Sequence, residues 1–379
     1  MRQSSHKCPA HLGHALLYKE DWTETKERLI AWWEGERMER PVVQVYTPKE
    51  GSTPAWTGHD NWFLAQHPDE PGAAIKDFTS WCSRTHFGGE SYPNFWINFG
   101  AGVMGAYLGA EARFEAGTMW FGAQWNEKLA KGWESLRDVG FDEDNIWWTR
   151  TVSATKRAVD MSCGDFIVGI TDIGGIADII ASLRGPKNLL MDFHTRPDDV
   201  MRLSEKLVDI WHDCYDTLFD MVSKANPGSS AWMGIWSPLK WYPLQCDFGA
   251  MLSPKKFDAL VLPFLREQSR RLDHAVYHLD GPGQIGHLES LLGVSEIKAI
   301  QWVPGSGEEL RGDHCGSEKW IPIYEKILEA DKGLILGLPP EYVEPVTKRL
   351  RTSGVIFQTL ASSESEANSL LRCAEEAMR

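Results

Sequence analysis

The sequence predicts an α/β fold. It reads as a (β/α)8 TIM barrel over 41–379, with an N-terminal helical extension over 1–40 and an aromatic-rich insertion at about 49–95. Three observations predict it. Strand and helix signals alternate from 166 to the C-terminus. Each strand is a short, nearly continuous apolar run, the pattern of a parallel sheet covered by helices. No G-x-G-x-x-G follows the first strand. That disfavours a dinucleotide-binding sheet, and with it a nicotinamide or flavin cofactor.

In chain order, the first helix starts at Asp21-Trp22-Thr23-Glu24, where Asp21 or Thr23 can cap it and acids crowd the first turn. Leu29, Ile30, Trp32 and Trp33 form its apolar face, and Gly35 ends it. The first strand spans 40–48, β-branched residues between two prolines. The stretch 49–95 is rich in Gly, Pro and Trp, with a helical piece over 69–84. It is too long for a simple connection and reads as cover over a site. A strand at 95–98 runs into a glycine turn, and a short helix follows to 108. Helix 146–163 would bury Val152, Thr155, Val159 and Cys163.

Strand 166–171 then ends at Asp172, with helices over 176–183, 186–193 and 198–222. Strands are expected at 230–236 and 244–248, and a helix opened by Ser253-Pro254 runs to Arg271. The remaining strands are expected at 275–280, 297–302, 333–337 and 354–359. Helices at 284–292, 320–330, 342–352 and 365–378 follow them in turn.

Composition narrows the function. Fifty-three acids against 39 bases give a net charge of −14, and no Lys/Arg cluster appears. Nucleic acid and anionic membrane are therefore not expected partners. No apolar run approaches a membrane span and no signal-peptide core is present, so a cytoplasmic location is expected. The seven cysteines are scattered without C-x-x-C, as suits free thiols in a reducing compartment. Eighteen tryptophans are several times ordinary usage. Most should be core, but rigid aromatic walls also suit sugars, flat rings or methylated cations.

In such a barrel the chemistry lies at the C-terminal ends of the strands. There the stretch Tyr277-His278-Leu279-Asp280-Gly281 stands out. A spacing of two on a strand puts both polar side chains on one face, roughly 7 Å apart. An imidazole and a carboxylate so aimed can hold a metal or pass a proton. A core pair that satisfies itself reads the same in sequence. His278, Asp280 and Gln358 are the candidate metal ligands, and Asp247 and Asp172 the candidate acid–base groups. Tyr46, Trp96, Asn98, Trp236, Gln301 and Trp302 are the candidate substrate contacts. His6, Cys8, His11 and His14 have loose metal-like spacing in a polar terminal segment. His287 reads as packing.

Four stretches carry a resemblance over about residues 22–379. They are Leu183-Arg184-Gly185-Pro186, Asp247-Phe248-Gly249-Ala250-Met251-Leu252-Ser253-Pro254, His278-Leu279-Asp280-Gly281, and Ala299-Ile300-Gln301-Trp302-Val303-Pro304-Gly305. Together they resemble the uroporphyrinogen decarboxylase superfamily, which includes the zinc-dependent methylcobamide:coenzyme M methyltransferases. Porphyrinogen decarboxylases follow the first strand with an arginine-rich stretch; Val43-Gln44-Val45-Tyr46-Thr47-Pro48 has no arginine. The methyltransferases carry His-x-Cys where His278-Leu279-Asp280 stands, and a second Cys on the last strand, where Gln358 and Thr359 stand. The expected ligands are therefore nitrogen and oxygen, compatible with Zn²⁺, Mn²⁺ or Fe²⁺. Such a site suits polarising a substrate oxygen or generating bound hydroxide.

The resemblance implies a metal-dependent enzyme of methyl transfer or demethylation, acting on a small methylated substrate with a corrinoid protein or a thiol as acceptor. A homodimer is one open assembly. Two alternatives stand beside it: a metal-free decarboxylase in which Asp247 and His278 move protons on an electron-rich ring, and a non-catalytic barrel that binds a small ligand.

Overall fold

The computed structural model describes residues 16–52, 58–122, 132–309 and 311–379. The His6/Cys8/His11/His14 group lies outside the described residues. The architecture is mixed α/β, with a central, mostly parallel sheet and flanking helices. Helix α1 (Trp22–Trp33) precedes strand β1 (Val42–Pro48). Helix α2 (Pro71–Ser83), β2 (Thr85–Gly89), β3 (Asn94–Trp96) and the hairpin β4 (Glu111–Glu115) and β5 (Thr118–Gly122) follow. Next come α3 (Ile146–Ser162), β6 (Ile167–Gly169), α4 (Ile176–Arg184), α5 (Pro186–Thr195) and α6 (Pro197–Val222). The C-terminal part runs β7 (Trp241–Gln245), α7 (Pro254–Leu260), α8 (Leu262–Arg270), β8 (His274–Asp280), β9 (Ile297–Val303) and α9 (Ile321–Glu329). It closes with β10 (Gly333–Gly337), α10 (Val343–Leu350), β11 (Val355–Leu360) and α11 (Glu364–Glu376).

The main sheet has the order β2-β1-β11-β10-β9-β8-β7. Its neighbours pair in parallel except β2, which runs antiparallel on β1. Strands β3 and β6 form a separate parallel pair. Side chains tie neighbouring segments together: Ser91 Oγ donates to Val45 O at 2.9 Å, and the Tyr242 hydroxyl donates to Thr171 O at 2.8 Å while accepting from Ile173 N at 2.8 Å. Register sets Gln245, His278 and Gln301 in one row across β7, β8 and β9.

Three local expectations are corrected. The run 230–236 is not a strand. Ala231 bridges Ile170 and Ser229 bridges Ser237, so the chain turns back on itself. Gly234 at φ +71° allows the turn, and its N–H donates to Ala231 O at 3.0 Å. Two carboxamides, buried Gln44 and half-buried Gln358, hold this segment: Gln44 Nε2 donates to Gly234 O at 2.9 Å, and Gln358 Nε2 to Met233 O at 2.9 Å. The single helix expected over 253–271 is two, broken at Val261, with Pro263 in the first turn of the second. Helix α3 buries Trp148, Thr151, Ala154, Thr155, Ala158 and Ser162, leaving Val152 and Val159 only half-buried and Cys163 exposed. Asn145 caps it by accepting from Trp147 N and Trp148 N. Small residues in the stripe let α3 approach its neighbour α6 closely, which outweighs burial of β-branched bulk.

Glu90 ties the N-terminal helix to the sheet. Its side chain is 2% exposed and accepts from Arg40 Nη2 at 2.6 Å, Arg28 Nε at 2.7 Å and Val43 N at 2.8 Å. Burial pushes its pKa up, but Arg40 and Arg28 outweigh that and hold it below the ordinary value. Removing one partner of a buried ion pair costs about 3–5 kcal/mol. Glu90→Ala should lose that much stability at neutral pH in urea unfolding. The folded pKa lies below the unfolded one, so the contribution is present above the unfolded pKa and fades as pH falls through the folded one. The gap between wild type and variant should therefore close in acid. A gap under about 1 kcal/mol at pH 7 would mark the pair as energetically idle.

Candidate metal centre

Strand β8 alternates, so His278 and Asp280 share a face while Leu279, fully buried, points to the other. Strand β7 ends at Gln245, two residues before Asp247, which opens a short 3-10 turn over Asp247–Met251. One ligand atom from each of Asp247, His278 and Asp280 lies within 4.8 Å of the others. Ligand atoms ~2.0–2.2 Å from a common ion stand ~3–4 Å apart, so small side-chain rotations would close this set on a cation. Asp247 is exposed and the other two half-buried, so the cluster opens to solvent at the strand ends.

Neighbours orient these three. His278 Nδ1 lies 2.6 Å from Gln301 Oε1. Against an amide oxygen Nδ1 carries the proton, and Nε2 keeps its lone pair for a ligand. Asp178, half-buried in the first turn of α4, accepts from Phe248 N at 2.7 Å and Asp247 N at 3.1 Å. It thereby fixes the backbone that presents Asp247. Asp172 is buried, and its Oδ1 accepts from Gly174 N at 2.9 Å, Gly102 N at 3.3 Å and Gln245 Nε2 at 3.5 Å. Gly174 at φ +82° approaches so closely that a Cβ there would meet Gly102 Cα at 2.6 Å. The two glycine turns thus cradle an anion, and the anion is the Asp172 carboxylate itself.

The acids raise one another. Burial, then Asp247, pushes Asp172 up to about 7 against its backbone donors. Burial, then Asp247, pushes Asp178 up to about 8. Asp247 keeps solvent contact but has protein on its inner side. That desolvation raises it most, His278 opposes, and Asp280 adds to the rise.

The other expected site residues divide. Gln301 supports His278. Tyr46, Trp96 and Gln358 line a cavity of about 460 Å³ together with Asn94, Trp232 and Thr359. Gln358 stands three strands along from β8, and its Nε2 is spent on Gln44 Oε1 at 2.8 Å and on Met233 O. The third residue that the structure brings beside His278 and Asp280 is Asp247. Trp302, fully buried, faces away from Gln301 and packs on Trp320 at 4.8 Å. Trp236 is core: its ring meets Trp22 at 5.6 Å and its carbonyl accepts from Trp33 Nε1 at 3.0 Å. Asn98 shapes a turn, accepting from Gly100 N at 2.9 Å and donating to Asn61 O at 2.8 Å. His287 is packing, stacked on Phe257 at 4.1 Å.

Two residues were not singled out as site residues in sequence. Asp178 is one; its signal was an acid in the first turn of the helix after the Asp172 strand. Trp232 is the other. Its ring stands 5.3 Å from His278 at 88° and also lines the cavity, so it joins the metal centre to the aromatic wall.

No protein-family model matches the chain, and no curated protein matches it. In structure it is similar to a methyltransferase from Methanosarcina mazei, with a TM-score of 0.57 and 11% identity, over 93% of this chain and 98% of that one. The likeness is one of fold. At that identity it extends to the α/β arrangement of sheet and helices. Among the described residues no helix is long and apolar enough to cross a membrane.

Asp172 and Asp178 keep protons in the folded protein that the unfolded chain releases near pH 4. The folded state then binds more protons, so stability falls as pH rises through the window from the unfolded values to about 7 and 8. With chelator present, the urea midpoint should drop from pH 5 to pH 8.5, and Asp172→Asn should flatten that drop. Identical pH profiles for wild type and variant would contradict the assignment.

Proposed function

We propose that the chain is a metal-dependent enzyme of the uroporphyrinogen decarboxylase superfamily. It would remove a methyl group from a small methylated substrate and pass it to a thiolate or to the Co(I) of a corrinoid protein. One observation carries this reading: Asp247, His278 and Asp280 converge beside an aromatic cavity, with Trp232 touching both. The fold likeness to a methyltransferase supports it. So does the chain order of parallel strands β1, β3 and β6 to β11, which is what a closed (β/α)8 ring over 41–379, preceded by the 1–40 extension, requires.

The donor set of one imidazole and two carboxylates suits Zn²⁺, Mn²⁺ or Fe²⁺. When bound, such a cation supplies Lewis acidity toward a substrate oxygen. The chain's own residues do the rest. Gln301 fixes the His278 tautomer and Asp178 fixes Asp247. The bond from methyl carbon to oxygen breaks with its electron pair left on oxygen, while the acceptor's lone pair forms the new bond to carbon. Asp172, raised to about 7, can hold the proton that the departing oxygen requires. Trp96 and Trp232 keep water from the transferring carbon.

The same raised Asp172 favours the second reading, a metal-free decarboxylase, whose carbon dioxide release would be indifferent to chelators. Metal analysis decides between them. Purified wild type should hold about one ion per chain, and His278→Ala, Asp247→Ala and Asp280→Ala should each lose it. Full occupancy retained in all three variants would remove the proposed ligands. Gln301→Leu should keep the fold and bind the metal roughly 10–100-fold more weakly.

A further inference from the structure

We infer that the cavity takes an uncharged ring compound carrying an O-methyl group, with the ether oxygen turned past Trp232 toward Asp247, His278 and Asp280. The inference rests on the methyl-transfer reading and names its substrate class.

Charge decides first. Among the described residues that line the cavity there is no Lys, Arg, Asp or Glu. Its one basic side chain, His59, is held toward the neutral form by burial. An anionic substrate would lose its hydration with no Lys or Arg among the described lining residues to meet it. A methylammonium suits aromatic faces, but its nitrogen has no lone pair to offer an ion at the three ligands. An ether oxygen is neutral and brings lone pairs. It fits both halves of the site.

Shape decides next. Tyr46, Trp96 and Trp232 give the cavity rigid aromatic walls, and about 460 Å³ is room for a ring rather than for a methylamine alone. The polar groups of the wall are uncharged too: Asn94, Gln358 and Thr359. Asn94 Nδ2 donates to Ala231 O at 3.1 Å, which fixes its amide orientation. Thr359 is 6% exposed and its hydroxyl has no hydrogen-bond partner among the described residues. Rotation about its Cα–Cβ bond would bring that hydroxyl to a ring substituent. Flat methoxyarenes and O-methyl sugars share the required chemistry.

Titration calorimetry on the zinc-loaded full chain tests this with four probes: methoxyphenol, methyl glucopyranoside, methoxybenzoate and tetramethylammonium. One of the two neutral ring ethers should bind at least about tenfold tighter than either charged probe, and which one identifies the source. Trp232→Ala should weaken that binding about tenfold while Trp232→Phe retains most of it, and Thr359→Val should weaken it about threefold. Tighter binding of methoxybenzoate or tetramethylammonium, no binding of either ether, or an unchanged Trp232→Ala affinity would overturn the inference. Repeating the titration after chelation separates the two claims. Ether binding that persists without any metal-dependent demethylation would sink the enzymatic reading and leave the ligand class standing. Metal-dependent demethylation of an amine alone would do the reverse.

Discussion

Mutual repulsion among four carboxylates is the constraint on which this site depends. Asp280 and His278 act on Asp247, and Asp247 in turn acts on Asp172 and Asp178, on top of the rise that burial gives all three. Left alone, such a group would spread or take up protons. The fold prevents spreading with backbone donors. Gly102 and Gly174 hold Asp172, and the N–H groups of Asp247 and Phe248 hold Asp178. Strand β8 holds His278 and Asp280 by alternation alone. What remains is relieved by proton uptake or by a cation, and those are the two chemistries open to the site.

The interior supports this cluster with carboxamides. Gln245 and Gln301 flank His278 in register; one reaches Asp172 and the other the imidazole. Gln44 and Gln358 pair across β1 and β11 and hold the carbonyls of Met233 and Gly234, which places Trp232. A lysine or arginine in place of Gln245 or Gln301 would neutralise the acids it met. Glutamine orients without spending the negative field. The chain uses the opposite device where no ligand is wanted: at Glu90 two guanidiniums close the charge completely.

Strand and helix order was legible because apolar runs and caps are local signals. His278 and Asp280 were legible because two-residue spacing on a strand fixes a face. The same rule should have separated Gln301 from Trp302, since adjacent strand residues face opposite ways; only the first can reach the site. Trp236 and the run 230–236 misled for another reason. Alternating apolar residues read as a strand, but Gly234 turns the chain inward, and Trp232 rather than Trp236 meets His278. Gln358 sits at a strand end as expected, yet its amide is committed to Gln44 and Met233, a partnership between residues far apart in sequence. Asp178 lay beyond sequence reasoning because its partners, the N–H groups of Asp247 and Phe248, belong to another strand's turn.

On the proposed reading, a carboxylate at Asp280 in place of a thiolate would change the charge left on a bound ion. Thiolates donate charge strongly to a metal and suit it to hold a sulfur nucleophile. Carboxylates leave more positive charge on the ion, so its pull falls on a substrate oxygen. Under that donor set a bound metal would serve the methyl donor. On the proposed reading the cavity beside His278 would hold the donor as well, and the acceptor would arrive from outside. Two features lie where it would approach: Asp247 is open to solvent at the strand ends, and Leu360, on the cavity rim, is 60% exposed. On that reading a bulky acceptor carried on another protein would meet this geometry more readily than a small thiol, which would compete with the donor for the same walled space.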